Sequence, residues 1–297
     1  MRGAMIPSVI PPTGLEWLQG SDSGRAWLDA VPRLVRECAE MWDLRLGHPF
    51  PHAHVSVVYP ATLRDGSGVV LKVQFPDRES EFEAAALALW DGNGAIRLLL
   101  HDPGRHALLL ERCVPGTPLS QLEQDRALDV LVALLPRLWK PAGAPIRSLA
   151  TEAAWWADGL AADWERAGRP FERALLDAAL DALRTLPASQ GEQVLLHQDL
   201  HADNVLRARR EPWLVCDPKP LVGEREFGVA PIVRSFELGR GRTHVKRRLD
   251  RLAGDLGLDR ERARLWALAQ TVAWSIGSDH LERHLETARW LLGLAAY

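Results

Sequence analysis

The chain has 297 residues, with 36 Lys and Arg against 39 Asp and Glu, and 47% of its residues are hydrophobic. This composition is typical of a globular protein and excludes disordered, collagen-like and coiled-coil chains, while the length is ample for one composite domain or two lobes. The formal net charge of −3 argues against general affinity for nucleic acid or anionic membranes, because counterion release needs clustered Lys and Arg.

The N-terminal segment, residues 1–20, contains no long apolar run behind a basic stretch, so we expect no signal peptide. No apolar stretch of the sequence reaches the roughly 20 residues that span a bilayer. The cysteines, Cys38, Cys113 and Cys216, lie far apart and lack metal-ligand spacing, which favours reduced thiols. We therefore expect a cytoplasmic protein that binds neither membranes nor nucleic acid.

The beginning of the chain predicts a small region that mixes helices and strands. Residues 24–42 place apolar side chains on one helix face at steps of three and four. Runs rich in β-branched residues at 54–59 and 69–73 flank a glycine-containing turn at 64–68, which is typical of an antiparallel hairpin. The other elements predicted here are a helix over 79–90 and strands over 96–101 and 106–110.

The remainder of the chain predicts mainly helices. They cover residues 121–139, 152–167 and 171–186, and helical patterns return from residue 229 to the end. Short apolar runs that flank polar residues lie between 194 and 216. We therefore predict an α+β fold, with a strand-rich N-lobe over 1–112 and a helical C-lobe over 113–297.

The densest polar cluster of the sequence is the segment 197–204, HQDLHADN, which apolar residues flank on both sides. A second polar fragment starts at Asp217, directly after an apolar run. The intervening residues are long enough for a strand, a turn at 209–212 and a returning strand, which would bring Asn204 and Asp217 close together. Amide and carboxylate oxygens are hard ligands, suited to a Mg²⁺ ion that also holds phosphate oxygens.

Asp199 precedes this pair by a few residues and would face the same phosphate. There it can accept a proton from an attacking hydroxyl, or orient that hydroxyl. Phosphoryl transfer depends mainly on position and charge neutralisation, so a cation must also meet the nucleotide phosphates. Lys72, in the second predicted strand, is the best candidate. Glu83 on the following helix would hold that lysine in place, ahead of its neighbours Glu79 and Glu81.

The segment 197–204 followed by Asp217 resembles the catalytic loop and metal-binding Asp of the aminoglycoside phosphotransferases, which share the bilobal protein-kinase-like fold. A longer stretch at 204–224, NVLRARREPWLVCDPKPLVGE, is similar to one branch, the streptomycin 6-phosphotransferases and hydroxyurea phosphotransferases. Blocks around Lys72 and at 83–95 extend the similarity over roughly residues 45–240, in the family's order along the chain.

This resemblance implies an enzyme that transfers a phosphoryl group from ATP, with Mg²⁺, to a hydroxyl of a small molecule. The acceptor would be a streptomycin-like aminoglycoside or hydroxyurea, and the activity would confer antibiotic resistance. The implied site residues are Asp199 as the catalytic group, Asn204 and Asp217 as metal ligands, Lys72 and Glu83 as the phosphate-binding ion pair, and Glu111 and Cys113 within the connector that meets adenine.

A cationic acceptor such as streptomycin would need carboxylates near the catalytic loop. The candidates are Asp203, Glu224 and Glu226, with Glu237 and Asp279 as weaker ones. Hydroxyurea is small and neutral and would need a tighter pocket without them. Lys219 is a candidate contact to phosphate or substrate, and His197 is expected to support the loop by hydrogen bonds. The acceptor, its modified hydroxyl, the choice between ATP and GTP and the oligomeric state stay open at this stage.

Three features depart from the family pattern. No G-x-G-x-x-G motif precedes Lys72, so we place the phosphate-covering loop near residues 52–56 without choosing a residue. Gln198 stands where relatives often have Gly, and Gly228 stands where the pattern leads to Asp. These departures keep two alternatives open: a metabolic kinase for a sugar, amino alcohol or secondary metabolite, and a nucleotide-binding pseudokinase.

Two further features are interpreted as structural. Most of the 12 tryptophans are assigned to core packing. A basic run is interpreted as a solvated helix face rather than a nucleic-acid site. Its members are Arg240, Arg242, Lys246, Arg247, Arg248 and Arg251.

Overall fold

The computed structural model describes residues 14–51 and 54–294. Residues 52 and 53 of the predicted phosphate loop lie outside the described residues, as do residues 1–13 of the segment expected to lack a signal peptide. The chain forms two compact units, Met1–Gly116 and Thr117–Tyr297. Each unit is described by itself below.

The N-terminal unit contains an antiparallel sheet and two α-helices among its described residues. A short 3₁₀ helix, Glu16–Gly20, comes first. The other elements are α1 (Asp22–Met41), β1 (Arg45–Leu46), β2 (Ser56–Thr62), β3 (Gly68–Gln74), α2 (Glu83–Trp90), β4 (Leu98–Asp102) and β5 (Ala107–Glu111). The described strands form a five-stranded sheet in the order β1-β2-β3-β5-β4, and each neighbouring pair is antiparallel.

The alternation of β3 gives the sheet one face that packs against α1 and one that carries polar side chains. Leu71 and Val73 are fully buried in a core with Trp27 of α1. Because successive side chains of a strand point to opposite faces, Lys72 between them points away from that core. Lys72 lies opposite Val58 in the register of β2 and β3. The predicted antiparallel hairpin is thus confirmed.

Helix α2 begins later than the helix predicted over 79–90. Asp77 Oδ1 accepts hydrogen bonds from the Ser80 N–H at 2.7 Å and from the Ser80 hydroxyl at 2.6 Å. Asp side chains stabilise such turns at the expense of helix, so the chain becomes helical at Glu83. Glu83 therefore occupies the first turn of α2, where the helix dipole favours a carboxylate.

The C-terminal unit is mainly helical and carries two small antiparallel strand pairs in its described part. Its elements are α3 (Gln124–Leu138), α4 (Leu149–Arg166), α5 (Arg173–Thr185), β6 (Gln193–Leu196), β7 (Val205–Arg207), β8 (Trp213–Val215), β9 (Leu221–Glu224), α6 (Arg225–Gly228), α7 (Ala230–Val233), α8 (Arg242–Leu256), α9 (Arg260–Ala273) and α10 (Leu281–Leu292). Short 3₁₀ helices occupy Leu119–Gln121, Leu186–Ser189 and Ala202–Asn204. No helix in the described part of the chain is both long and apolar enough to cross a membrane.

Helix α9 lies at the centre of this unit. Its residues from Trp266 to Val272 are buried on all sides, as expected for a helix that packs against several neighbours. The ring of Phe227 meets the Trp266 ring edge-to-face at 5.3 Å. At the end of α9, Trp274 is left half-buried and available to polar residues.

The interpretation of the basic run as a solvated face is wrong for Arg248. This side chain belongs to a residue that is 3% exposed, and its guanidinium donates to the carbonyls of Val233, Leu238 and Gly239 at 2.7–3.1 Å. Burial lowers the pKa of Arg248 to about 10, so the side chain stays charged at neutral pH. Arg248 thereby fixes the backbone on both sides of the segment 234–237.

Candidate active site

A buried ion pair joins β3 to α2 in the N-terminal unit. Lys72 Nζ lies 2.6 Å from Glu83 Oε2, and the two side chains are 6% and 1% exposed. Gln74 donates a second hydrogen bond of 2.6 Å to the same oxygen. The predicted pairing of Lys72 with Glu83 is present. Buried ion pairs rarely stabilise a fold more than apolar residues of similar size do. The presence of this pair therefore indicates that the positive charge of Lys72 has a role other than stability.

The connector residues Glu111 and Cys113 lie at the end of the same unit. The Glu111 N–H donates to Arg97 O at 2.9 Å, and Glu111 Oε2 accepts from the Arg97 N–H at 3.0 Å. The N–H of Glu111 is therefore engaged within this unit. Cys113 is half-buried and forms no disulfide.

In the C-terminal unit, the backbone between β6 and β7 forms a tight loop. His197 O accepts from the N–H groups of Asp199 at 2.8 Å and Lys219 at 3.0 Å. Gln198 adopts a left-handed conformation, with φ of 63°, which Gly adopts without strain. This conformation would suit Gly, the residue that the family pattern leads one to expect at the position of Gln198.

Asn204 is the last residue of the loop, and hydrogen bonds to two loop carbonyls hold it in position. Its Nδ2 donates to Asp199 O at 2.9 Å, and its N–H donates to His201 O at 3.0 Å. Asn204 is 9% exposed. With Nδ2 committed to a carbonyl, Oδ1 is the atom of Asn204 that can ligate a cation.

The register of β7 and β8 brings Asn204 and Asp217 to the same end of the hairpin, as predicted. Val205 pairs with Val215, and the Cys216 N–H donates to Asn204 O at 2.9 Å. Asp217 follows one residue later in a left-handed conformation, with φ of 57°. The donors at this end are an amide oxygen and a carboxylate, and this set fits Mg²⁺.

Asp199 is 8% exposed and lies among three basic side chains. Its carboxylate is 3.1 Å from Lys219 Nζ, 3.4 Å from Arg234 Nη2 and 3.9 Å from His201 Nε2. Burial alone would raise the pKa of Asp199, but the charges of these groups and the Lys219 hydrogen bond hold it well below its usual range. The carboxylate is therefore ionised throughout the neutral pH range.

Trp274 supports the two long cations that contact Asp199. Lys219 Nζ lies 5.1 Å from the centroid of the Trp274 ring, and the guanidinium carbon of Arg234 lies 4.6 Å from it. Both distances are within the range of cation–π attraction. Arg234 belongs to no sequence motif and was not among the predicted site residues, and Trp274 was not distinguished from the other tryptophans, most of which were expected in the core.

His201 and Glu237 form a second charged pair beside Asp199. His201 Nδ1 is 3.5 Å from Glu237 Oε1, which also accepts from the Ala202 N–H at 3.0 Å. Burial alone would lower the pKa of His201, but the Glu237 and Asp199 carboxylates raise it. Burial alone would raise the pKa of Glu237, but hydrogen bonds, chiefly the one with His201, lower it to about 2.

Asp203 is exposed, and it accepts a hydrogen bond from the Ser120 hydroxyl. Its carboxylate could share one cation with His201 and Glu237, because ligand atoms of the three lie within 4.8 Å of one another. A histidine nitrogen is a poor ligand for Mg²⁺, so this trio does not replace Asn204 and Asp217 as the candidate magnesium ligands.

His197 ties the loop to the hairpin. Its Nε2 donates to Cys216 O at 3.0 Å, next to Asp217. Burial lowers the pKa of His197 to about 4, against the smaller opposing effects of Asp199 and the Cys216 carbonyl. The imidazole is therefore neutral at physiological pH, and it positions the loop without carrying charge.

Two of the predicted acceptor carboxylates have other partners. Glu224 is 1% exposed, and it accepts from Arg262 Nε at 2.6 Å and from the Trp266 indole. Glu226 accepts from the Asp259 N–H at the start of α9, at 3.3 Å. Glu224 therefore stabilises the core and is not retained among the acceptor contacts. The weaker candidate, Asp279, is exposed in the turn before α10.

Gly228 departs from the family pattern for a steric reason. A Cβ atom at this position would lie 3.0 Å from Trp139 Nε1 and 3.2 Å from Leu196 Cδ2. An Asp here would require the Trp139 indole and the Leu196 side chain to shift by a few tenths of an ångström, so the packing of this chain favours Gly.

Residues 42–279 match the profile of the aminoglycoside/hydroxyurea antibiotic resistance kinases. A hydroxyurea phosphotransferase of Kitasatospora aureofaciens is 40% identical over an alignment of 303 positions that covers 98% of this chain and 86% of the relative. A streptomycin 6-kinase of Streptomyces griseus is 37% identical over 267 residues, covering 86% of this chain and 87% of that enzyme.

Among solved structures, the fold is similar to that of a thermostable mutant of aminoglycoside phosphotransferase APH(4)-Ia in ternary complex with ADP and hygromycin B. The TM-score is 0.56 and the identity 16%, over 87% of this chain and 95% of that structure. This likeness shows a protein-kinase-like fold. Together with the sequence matches, it establishes that the chain is a small-molecule phosphotransferase and belongs to the aminoglycoside/hydroxyurea antibiotic resistance kinase family.

Proposed function

We propose that the protein transfers the terminal phosphoryl group of ATP, with Mg²⁺, to the hydroxyl of a small neutral acceptor of the hydroxyurea type. The observation that carries this proposal is the loop that holds Asp199 beside Asn204, while the hairpin register brings Asp217 to Asn204. Such an arrangement suits phosphoryl transfer, which needs an oriented nucleophile and neutralised phosphate charge.

Asp199 would accept a hydrogen bond from the acceptor hydroxyl and align its oxygen with the terminal phosphorus. Since the basic neighbours of Asp199 make it a weak base, orientation would precede proton transfer. The proton would pass to the carboxylate as the new oxygen–phosphorus bond forms, which suits a loose transition state. His197 and Asn204 would keep the carboxylate in place.

The remaining residues would bind the nucleotide. Asn204 Oδ1 and Asp217 would hold Mg²⁺, which neutralises phosphate charge when it is bound. Lys72, held by Glu83, would contact the nucleotide phosphates. The backbones of Glu111 and Cys113 would meet adenine, and ADP in the similar aminoglycoside phosphotransferase supports an adenine nucleotide as the cosubstrate.

The charges around Asp199 favour a neutral acceptor over a polycationic one. Lys219 and Arg234 contact the carboxylate directly, and the nearby Glu237 is paired with His201. A guanidinium-bearing acceptor such as streptomycin would be repelled by the two cations. It could not bind the carboxylate of Glu224, which is paired in the core. The relative that is 40% identical bears the name hydroxyurea phosphotransferase, which agrees with this preference.

A streptomycin-like acceptor is the second candidate. Asp203 is exposed near the catalytic loop and offers one carboxylate to a cationic sugar. The streptomycin 6-kinase that is 37% identical favours the same substrate class. In this case the cationic groups would bind on the Asp203 side, away from Lys219 and Arg234.

A coupled assay of ADP release tests the proposal with hydroxyurea, streptomycin and other aminocyclitols as acceptors, and phosphorus NMR identifies the product. We expect the highest kcat/KM with hydroxyurea, at least about 100-fold above streptomycin, as a difference of about 3 kcal/mol would give. A reversed order would select the second candidate. Retained Mg-ATP binding with no turnover of any compound would indicate a pseudokinase, and turnover of another metabolite would indicate a metabolic kinase.

A further inference from the structure

Arg234 lies against the catalytic carboxylate, although no sequence motif points to it. Its side chain is 12% exposed, and its Nη2 lies 3.4 Å from Asp199 Oδ1. The guanidinium carbon stands 4.6 Å from the centroid of the Trp274 ring. An arginine in this position is desolvated, supported by an aromatic face and directed at the loop where phosphoryl transfer is proposed.

The peptide bond that precedes Arg234 is anchored by hydrogen bonds at its N–H and at its carbonyl. Its N–H donates to Ala230 O at 3.1 Å, which continues the short helix α7. The preceding carbonyl, Val233 O, accepts from Arg248 Nε at 3.1 Å and Nη2 at 2.9 Å. These contacts restrain the backbone of Arg234, so the movement considered below is that of its side chain.

The contact of 3.4 Å between Arg234 Nη2 and Asp199 Oδ1 is long for a charged pair. Bidentate arginine–carboxylate pairs are shorter, at 2.7–2.9 Å, and engage two nitrogens. Lys219 holds the other carboxylate oxygen more closely, at 3.1 Å. Asp199 therefore keeps a cation if Arg234 turns away, and the guanidinium can exchange its 3.4 Å contact with Asp199 for shorter ones to an anion.

We propose that Arg234 is a catalytic residue that stabilises the transferring phosphoryl group. This inference rests on the proposed function. When nucleotide and acceptor bind, the guanidinium turns from Asp199 Oδ1 to two oxygens of the phosphoryl group, whose spacing matches its planar fork. Trp274 keeps the cation stacked in both positions.

The step is balanced without any change in the protonation of Arg234. The bond between phosphorus and the leaving oxygen of ADP breaks, and a bond from the acceptor oxygen to phosphorus forms. The acceptor proton passes to Asp199, and ADP leaves with the electron pair of the broken bond. Arg234 places its positive charge beside the oxygens on phosphorus, over which negative charge is spread in the transition state.

The test compares Arg234→Ala and Arg234→Lys with the wild type, using the acceptor on which the wild type acts. We expect Arg234→Ala to lower kcat by about 100- to 1,000-fold, the loss typical of a transition-state donor, and to change KM for ATP and acceptor less than threefold. Added guanidinium ion should raise the kcat of Arg234→Ala at least tenfold. Arg234→Lys should keep an intermediate rate, because it supplies charge without the fork.

The matched control is Arg240→Ala, which removes an exposed arginine paired with Glu286 and should leave kcat unchanged. A second readout is the affinity for Mg-ADP with aluminium fluoride, which mimics the transferring phosphoryl group. This affinity should fall in Arg234→Ala, while the affinity for Mg-ADP alone should not. Thermal unfolding of each variant reports whether it is folded.

Several results would overturn the proposal. One is a kcat of Arg234→Ala within threefold of the wild type. Another is a loss of kcat that guanidinium does not rescue while aluminium fluoride complexes bind normally, which would assign Arg234 a structural role. An inactive wild type would defeat the proposed function and this inference with it, whereas an active wild type with an unaffected variant would defeat this inference alone.

Discussion

The two units each bury a charged cluster, and the clusters are built differently. In the N-terminal unit, Lys72 and Glu83 form one contact of 2.6 Å between a strand and a helix, and both are nearly inaccessible. In the C-terminal unit, Asp199 sits on a loop and shares longer contacts of 3.1 and 3.4 Å with Lys219 and Arg234. The first cluster fixes a charge in place, whereas the second has the longer contacts that we propose to exchange during the reaction.

This difference follows from the supporting backbone. Lys72 and Glu83 belong to regular elements whose side-chain directions are set by strand alternation and the first turn of α2. The shape of the Asp199 loop depends on hydrogen bonds from side chains. Asn204 donates to the carbonyl of Asp199 within the loop, and His197 donates to the carbonyl of Cys216 in the neighbouring hairpin. We infer that the rigid cluster orients phosphate and that the exchangeable cluster performs the transfer.

Replacement of the exchangeable carboxylate should have the largest effect. We expect Asp199→Ala to lower kcat by about 10³-fold or more, because both orientation and proton acceptance are lost. Nucleotide affinity should change less than threefold, since Asn204 and Asp217 remain. Rates from ADP release and affinities from nucleotide titration check this. An Asp199→Ala variant with an undiminished rate would refute the role of Asp199.

Breaking the rigid cluster should instead reduce stability. We expect Lys72→Met to lower the free energy of unfolding by about 3–5 kcal/mol, because it leaves a buried carboxylate without its cation. The double variant Lys72→Met/Glu83→Gln should recover part of this loss. Lys219→Met is the comparison in the other unit, where Arg234 remains with Asp199, and it should cost less than about 1.5 kcal/mol. Urea denaturation measures the free energy of unfolding of all three variants. Equal losses in Lys72→Met and Lys219→Met would contradict the proposed difference between the two clusters.

The neutral histidine under the loop predicts how this unit responds to acid. Burial lowers the pKa of His197 to about 4, whereas the unfolded chain binds the proton near 6.5. The stability contribution is therefore full above pH 6.5 and is lost as pH falls towards 4, by roughly 3 kcal/mol in total. His284, whose pKa burial also lowers to about 4, acts with the same sign.

Denaturation at several pH values checks this prediction. His197→Gln should lose less stability than the wild type between pH 6.5 and 4.5, and His284→Gln should show a similar but separate reduction. A wild-type stability that stays constant over this interval would contradict the neutral state of both histidines.

The smallest predicted effect concerns the strain beside Asp199. Gln198 has a φ of 63°, and a non-glycine residue pays roughly 1 kcal/mol in this conformation. We expect Gln198→Gly to raise the free energy of unfolding by about 1 kcal/mol. Gln198→Ala keeps the conformational strain and serves as the matched control, so it should show no such gain. Thermal and urea unfolding distinguish the two, and equal stabilities would show that φ does not limit the loop.

Much of the fold was predictable because its signals are local. The β2–β3 and β7–β8 hairpins follow from β-branched or apolar runs around turn residues, and their registers agree with that expectation. The predicted pairing of Lys72 with Glu83, rather than with Glu79 or Glu81, depends on where α2 begins. That start is set by the turn at Asp77, a signal visible in the sequence but easily read as helix.

The parts that sequence reasoning missed are long-range. Arg234 reaches Asp199 across 35 residues of sequence, and Trp274 reaches both cations from the end of another helix. Glu224 was a candidate because it lies near the catalytic loop in sequence, yet Arg262, 38 residues further on, pairs with it in the core. Such partnerships arise from helix packing, for which short motifs carry no information.

Arg248 has a consequence for how this protein tolerates variation. The guanidinium of Arg248 donates hydrogen bonds to the carbonyls of Val233, Leu238 and Gly239. A lysine has one nitrogen in its head group and cannot reach all three carbonyls. In a selection from random libraries, position 248 should therefore behave like an active-site position and reject even Lys. Screens that score survival alone would mistake this internal brace for a ligand contact.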